Sequence, residues 1–393
     1  MSLEIEKKKY TPLSERRVLN SLKLAQRMQI RIRNRSTMPW YAVLGVIVLT
    51  SVLFLISANM EPKAAVADES LEMADGVVTM DFVGDIMLGR NIKKYAEAKG
   101  AEIIYGNIAP YWEQSDLTFA NLECAVLEND VSEYDEPDAK YNSLYTDYEM
   151  LKDAMDAGID VWACANNHMM DYGEKAALEL NSWFQQNQVN YSGLLEKKEE
   201  AASAINIIEQ NGVKIAFLSI TEKYGLSGRN ILTTSTMYNQ LIYEASNEAD
   251  LTVVYMHWGQ DSSIKANEKQ EILGRQLIDA GADIVIGTHP HVLQNIEIYK
   301  NGVIFYSLGN FIFDEGETYS KDSVMVRYYL KANGEASFKL IPIRIEDGAP
   351  YVTTNSYYIE RINNRLVDGM DKNAYEYDEN GYVQITAPVI SFD

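Results

Sequence analysis

All four histidines of the 393-residue chain lie in three short motifs, Asn166-Asn167-His168, His257-Trp258-Gly259 and His289-Pro290-His291. Each stands where an apolar, strand-like run ends. Imidazoles placed this way, with carboxylates and an amide oxygen at neighbouring strand ends, suit a divalent metal such as Mn, Fe or Zn. The carboxylates are Asp85, in Val83-Gly84-Asp85-Ile86-Met87-Leu88-Gly89-Arg90, and Glu123, in Asn121-Leu122-Glu123. Gly84 is read as the turn that points the Asp85 carboxylate off the sheet edge. Two metals in one site would generate hydroxide near neutral pH and stabilise both oxygens of a phosphoryl displacement. His168 is read as catalytic: Asp171, three residues on in a helical turn, orients its imidazole to protonate a leaving group. Each residue alone has an ordinary explanation, Asp85 as a helix N-cap, Glu123 as a surface carboxylate, His257 as a half-buried histidine. Five such residues at five strand ends are poorly explained one at a time.

The elements that must position them alternate. Apolar, β-branched runs at 77–83, 117–121, 161–165, 214–220, 251–257, 284–287 and 303–307 read as strands. Helical stretches at 90–98, 148–157, 174–186, 240–246 and 267–280 lie between several of them. This is the pattern of an α/β domain, in which ligands gather at the carboxyl ends of strands. Gly158, Gly281 and Gly302 mark the returns. After Asp322 the pattern turns antiparallel: 324–330 and 337–345 flank Ala332-Asn333-Gly334, and Asp347-Gly348 makes a further turn. These strands are expected to complete a sheet at the edge of the domain. Residues 346–393 read as an extension of strands and loops.

Ten of the 35 Lys and Arg residues and three of the 57 Asp and Glu residues fall in 1–38, a basic arm. The uncharged run 39–58 opens with Trp40 and Tyr41 and is long enough to span a bilayer as one helix. The basic arm then places the N-terminus in the cytoplasm and the rest outside the cell, at the cell membrane. A cleaved signal peptide, with Ala65-Val66-Ala67 as the cleavage site, is the competing reading. A linker over 59–76 precedes the main domain, 77–345. Beyond residue 38 there remain 25 basic against 54 acidic residues, a balance that argues against nucleic acid. Two cysteines, Cys124 and Cys164, are too few for a disulfide scaffold; they read as buried thiols, with pairing the alternative.

In the order Gly84-Asp85-x-Met87-Leu88-Gly89-Arg90, Asn121-Leu122-Glu123, Ala165-Asn166-Asn167-His168-x-x-Asp171-x-Gly173, His257-Trp258-Gly259, Gly287-Thr288-His289-Pro290-His291-x-x-Gln294 and Tyr306-Ser307-Leu308-Gly309-Asn310-Phe311-x-Phe313-Asp314, the chain resembles the CapA family of poly-γ-glutamate capsule biosynthesis proteins. The resemblance covers about residues 77–324. It implies a four-layer α/β/β/α sandwich like that of calcineurin-like metallophosphoesterases, here preceded by one transmembrane helix. It makes Asp85, Glu123, Asn167, His257, His289 and His291 the metal ligands, for one or two divalent ions, and His168 with Asp171 the proton-donor pair. Met87 departs from the phosphoesterases, which place a histidine there, and a thioether binds hard divalent metals poorly. Lys140-Tyr141-Asn142 departs from relatives that carry Lys and then Phe-Arg. Arg90, Lys93, Lys94 and Lys140 remain as cations expected to face the cleft, and Arg90, Lys140 and Asn310 are the substrate-binding candidates. The implied function is a membrane-anchored, extracellular, metal-dependent hydrolase of a Gram-positive cell envelope, acting in biosynthesis, export or anchoring of poly-γ-glutamate or a related capsule polymer. Its partners would be the anionic polymer and membrane synthase or exporter subunits. The alternative is a non-catalytic accessory subunit of that complex, which Met87 and the acidic surface favour.

Overall fold

The structure, a computed structural model, describes residues 76–134, 144–223, 230–234 and 237–390. The basic arm, the apolar run 39–58, nearly all of the linker and Lys140 lie outside the described residues. Among the described residues, no helix is long and apolar enough to cross a membrane.

The apolar runs pair into two sheets. The larger contains β1 (Gly76–Ile86), β2 (Leu117–Leu122), β5 (Val161–Ala163), β6 (Asn190–Ser192), β14 (Asp322–Lys331), β15 (Ala336–Glu346), β17 (Tyr375–Tyr377) and β18 (Val383–Ala387). Their order is β17-β18-β15-β14-β1-β2-β5-β6, with β13 (Asn310–Ile312) against β1 and β16 (Ala349–Val352) against β15. The smaller contains β7 (Asn206–Gln210), β8 (Val213–Thr221), β9 (Leu251–His257), β10 (Ile284–Thr288), β11 (Ile296–Tyr299) and β12 (Gly302–Phe305), in the order β11-β12-β10-β9-β8-β7. β3 (Ala125–Leu127) and β4 (Tyr145–Asp147) pair with each other. The helices are α1 (Arg90–Lys99), α2 (Glu102–Tyr105), α3 (Ala109–Trp112), α4 (Tyr148–Asp156), α5 (Gly173–Gln186), α6 (Tyr238–Ser246), α7 (Glu268–Asp279) and α8 (Ser356–Leu366). Local chemistry fixes several starts: Asp147 caps α4, and Asn267 with Gln270 forms a capping box at α7.

Side-chain alternation along β1 sorts the layers. Val78, Met80 and Phe82 join Phe119, Phe217, Tyr255 and Phe305 in a core between the two sheets. Val83, Ile86 and Met87 point the other way, into a core with Ile92, Trp112, Leu151 and Leu180 from the helices α1 to α5. On the outer face of the smaller sheet, Val254 and Met256 pack with Ile242 of α6 and Leu277 of α7. Helices, sheet, sheet and helices therefore stack as four layers. Each large apolar side chain fully buried in this way contributes about 1.5 to 3 kcal/mol.

Three expectations are corrected. β14 is internal, paired with β1 on one side and β15 on the other, because its buried face is needed in the core between the sheets. The segment after residue 346 contains the helix α8, whose Ile362 and Leu366 enter that core. Gly84 is not a turn. β1 runs on through Ile86, with its register to β2 shifting between Phe82 and Asp85, and a Cβ on Gly84 would stand 1.9 Å from the Gly309 carbonyl oxygen. The irregularity re-aims Asp85, and the missing side chain admits the neighbouring backbone.

Candidate metal centre

Parallel pairing brings the motifs to one end of the sandwich. Asp85 lies in register with Asn121 of β2 and Asn310 of β13, and His257 with Thr221 of β8 and Thr288 of β10. Candidate ligand atoms of Asp85, Glu123 and His257 lie within 4.8 Å of one another, and so do those of Glu123, His289 and His291. Glu123 is common to both groups. His291 Nε2 and His257 Nε2 lie 3.5 and 3.7 Å from Glu123 Oε1, and His291 Nδ1 lies 3.5 Å from Asp85 Oδ2. Asn167 Oδ1 is 2.6 Å from His257 Nε2. All six residues read as ligands therefore meet in one cluster.

The cluster is built at a cost that a cation would offset. Glu123 is completely buried, and neither of its carboxylate oxygens has a hydrogen-bond partner. Burial first, and the Asp85 charge second, hold its carboxyl well above the ordinary value. A buried carboxylate without a donor is destabilising unless a positive charge meets it. Burial, then the neighbouring His289 and His291, push His257 well below its ordinary value, which favours the neutral imidazole a metal requires. His289 and His291 hold φ angles of 94° and 58°, in the left-handed region that non-glycine residues rarely enter. Such backbone is kept where the surroundings over-determine it, commonly at binding sites. The donors present, carboxylate, amide oxygen and imidazole, fit a divalent transition metal.

Residues around the cluster set its geometry. Asn121 Nδ2 donates to Asp85 Oδ1 at 2.8 Å, and the His289 N–H donates to Asp85 Oδ2 at 3.2 Å. His257 Nδ1 is 3.0 Å from Thr288 Oγ1. Asn166, next to the candidate ligand Asn167, is structural: its Nδ2 donates to the Leu122 carbonyl, and its Oδ1 accepts the His168 and Met169 N–H groups. Sequence reasoning missed Asp261, whose Oδ1 is 3.0 Å from His289 Nε2 and whose carboxyl is held at about 2, chiefly by that hydrogen bond. Its signal was an acid two residues beyond Gly259, in the loop after β9.

The remaining candidates separate. His168 Nδ1 lies 2.7 Å from Asp171 Oδ2, as the proton-donor reading expects. Asn310, read as substrate-binding, is fully buried; its Oδ1 sits 2.8 Å from His291 Nδ1 and its Nδ2 donates to Glu315, so it orients a histidine. Arg90 pairs with Asp314 and stands 5.5 Å over the Phe313 ring, whose edge meets His291. Lys93 is engaged by Asp147 at 2.5 Å. Met87 is buried in the outer core, its sulfur accepting the Gly89 N–H at 3.1 Å. Cys124 and Cys164 are buried and unpaired, and burial pushes the Cys124 thiol up to about 12.

Comparison with known proteins gives a consistent picture. Residues 79–315 match the family model described as bacterial capsule synthesis protein PGA_cap. The chain is 34% identical over 342 residues to the capsule biosynthesis protein CapA of Bacillus anthracis, covering 84% of this chain and 82% of that protein. It is 36% identical over 314 residues to the PGA biosynthesis protein CapA of Bacillus subtilis strain 168, covering 77% of this chain and 81% of that protein. A shorter match, 32% over 99 residues and 24% of this chain, is to a Mycobacterium tuberculosis protein named "Probable polyglutamine synthesis accessory protein".

Proposed function

The chain belongs to the bacterial capsule synthesis protein family PGA_cap, and on that footing we propose that it is a membrane-anchored, extracellular metal-dependent hydrolase serving biosynthesis, export or anchoring of poly-γ-glutamate or a related capsule polymer. The observation that carries the reading is Glu123, buried without a donor and shared by two clusters of candidate ligand atoms. The four layers, with these residues at strand ends, support a domain of the calcineurin-like metallophosphoesterase kind. The basic arm 1–38 and uncharged run 39–58 support an anchor with the domain outside the cell.

Asp85, Glu123, Asn167, His257, His289 and His291 would hold one or two divalent ions. A bound ion supplies Lewis acidity and a nucleophilic hydroxide near neutral pH. The protein's own part is positional and protonic. Asn121 and the His289 N–H hold both oxygens of Asp85, and Thr288 and Asn310 hold the Nδ1 atoms of His257 and His291. His168, with Nδ1 held by Asp171, keeps Nε2 for the leaving group.

One observation favours the non-catalytic alternative, an accessory subunit of a membrane synthase or exporter. Met87 lies in the core where the phosphoesterases have a ligand, which leaves the Asp85 side of the cluster a donor short. The test is metal content of the purified full-length protein by mass spectrometry, beside capsule polymer yield from cells carrying His168→Ala. Bound metal with polymer yield lost in the variant is the expected result. Bound metal with full yield in His168→Ala would overturn catalysis in favour of the accessory role, and no metal after incubation with Mn or Zn would overturn the metal site.

A further inference from the structure

The three histidines of the cluster are not held alike. His257 Nδ1 lies 3.0 Å from Thr288 Oγ1 and His291 Nδ1 lies 2.8 Å from Asn310 Oδ1, and the Nε2 atoms of both approach Glu123 Oε1, at 3.7 and 3.5 Å. His289 is reversed. Its Nε2 is taken by Asp261 Oδ1 at 3.0 Å, and its Nδ1 is buried without a hydrogen-bond partner. An ionised carboxylate only accepts, so Nε2 carries the proton at this contact and the lone pair of the neutral ring falls on Nδ1. A buried lone pair that meets no donor is costly unless a cation meets it.

The main chain agrees with this orientation. Nδ1 is the ring nitrogen nearer the backbone, so ligation through it requires the backbone of His289 to lie close to the centre. The His289 N–H, at a φ of 94°, donates to Asp85 Oδ2 at 3.2 Å.

Asp261 is mostly open to water, and a carboxylate on a free loop there would hold an imidazole weakly. Its loop is tied on both sides. Gly259, at a φ of 86°, donates its N–H to Glu222 Oε1 at 2.9 Å, and a Cβ there would stand 2.8 Å from the Gln270 side chain. The Ser262 N–H donates to the Pro290 carbonyl at 2.8 Å, and Gln294 Nε2 donates to the Ser263 carbonyl at 2.7 Å. Pro290 follows His289 as Ser262 follows Asp261, so one backbone bond and one side-chain bond join the two loops at adjacent residues. The carboxylate is placed by the backbone rather than by burial.

We propose that Asp261 is a positioning residue of the centre: it fixes His289 with the proton on Nε2 and presents Nδ1 to the divalent ion, whereas His257 and His291 present Nε2. The proposal rests on the metal reading above. A carboxylate behind a ligating imidazole fixes its tautomer and strengthens it as a donor, and losing such a partner typically weakens metal binding by about 10- to 100-fold.

The test uses the full-length protein in detergent. Metal-free wild type carrying isotopically labelled histidine, with the His289 signals assigned by their loss in His289→Gln, should show His289 protonated at Nε2 in two-bond nitrogen–proton correlation spectra. Affinities for Mn and Zn, measured by chelator competition, should fall about tenfold in Asp261→Ala with the metal-free melting temperature unchanged, and added formate should restore part of the loss. Asp261→Asn keeps an acceptor for the Nε2 proton without the charge and should lose about threefold. His289 protonated at Nδ1, or equal metal affinity in Asp261→Ala, overturns the positioning role while the metal reading stands. A weakened Asp261→Ala that formate leaves unchanged overturns it as well, because the loss then belongs to the loop and not to the carboxylate. The protonation pattern is read on wild type, so it decides even where a variant fails to fold. Wild type that takes up neither Mn nor Zn overturns the metal reading and this proposal together.

Discussion

His168 Nδ1 lies 2.7 Å from Asp171 Oδ2, and the same oxygen accepts the Leu144 N–H at 2.8 Å. Because that oxygen is fixed by the backbone of the segment entering β4, Asp171 can hold one imidazole orientation and leave Nε2 outward. If His168 protonates the leaving group, His168→Ala lowers turnover by about a hundredfold or more with metal content unchanged. Asp171→Asn should lower kcat by less while leaving KM in place, since it loosens orientation without removing the acid. Steady-state kinetics on a hydrolysed polymer or phosphoester substrate checks both.

Met87 gives a sharper test of what is not a ligand. Its sulfur is occupied by the Gly89 N–H and its side chain is enclosed in the outer core. Met87→Leu conserves volume and should cost less than about 1.5 kcal/mol. Metal equivalents per chain should be unchanged; a loss would place the thioether on the metal.

Glu123 carries the opposite expectation. Without a bound cation its carboxylate is buried, unpartnered and close to Asp85. Glu123→Gln should therefore melt no lower than wild type in a chelator, and should lose the melting-point rise that Mn or Zn gives the wild type. Ligand at a hundred times its dissociation constant stabilises by about 2.7 kcal/mol, a shift that calorimetry reads directly. A metal-dependent rise of equal size in Glu123→Gln would remove Glu123 from the ligand set.

A pH effect separable from the site comes from Asp283, between α7 and β10. Its Oδ2 accepts the Thr252 N–H at 2.8 Å, and burial raises its carboxyl from 3.8 to about 6. A carboxyl whose folded value is raised binds protons more tightly in the folded state, so its contribution to stability is fullest below about pH 4 and is lost as pH rises through about 6. Asp283→Asn keeps the acceptor and removes the charge. Urea unfolding should show it more stable than wild type by roughly 1 to 3 kcal/mol at pH 7 and nearly equal at pH 4.

Much of this was legible in the sequence because the candidate ligands sit at strand ends, where apolar periodicity stops and Asn, Gly or Pro begins. The strands holding Glu123, His257 and His289 are short apolar runs with no competing helical period. Asp85 was singled out, but the reason it points into the cluster was not legible: the register shift in β1 and the approach of Gly309 are pairing effects invisible in one segment. Asn310 looked like a cleft residue because polar groups after a strand usually are; only its register with Asp85 shows that it serves His291. The central place of β14 was missed because a hairpin signal tells which strands pair with each other, not where the pair docks. The helix α8 was hidden by its many Tyr and Asn residues, whose weak helix propensity is overridden by Ile362 and Leu366 entering the core.

The Asp81–Arg327 pair tests whether a buried charge is structural or functional. Asp81 lies on β1 four residues before Asp85, and Arg327 reaches both of its oxygens at 2.8 and 2.7 Å from β14. Arg327 also donates to the Tyr111 carbonyl of α3 at 2.6 Å, so one side chain ties helix to two strands. Both residues are 1% exposed or less. Arg327→Met leaves Asp81 charged and alone and should destabilise by about 3 to 5 kcal/mol, whereas Asp81→Leu with Arg327→Met should recover most of that loss, because the desolvation of both charges is relieved together. The recovery has a limit of about 0.5 to 1.5 kcal/mol, since the Tyr111 carbonyl loses the Arg327 hydrogen bond while keeping that from the Gln114 N–H. If the pair only holds β1 in place, the double variant regains metal content along with stability in parallel melts and mass spectrometry. Regained stability with metal still lost would show that the charge at Asp81 acts on the centre at Asp85.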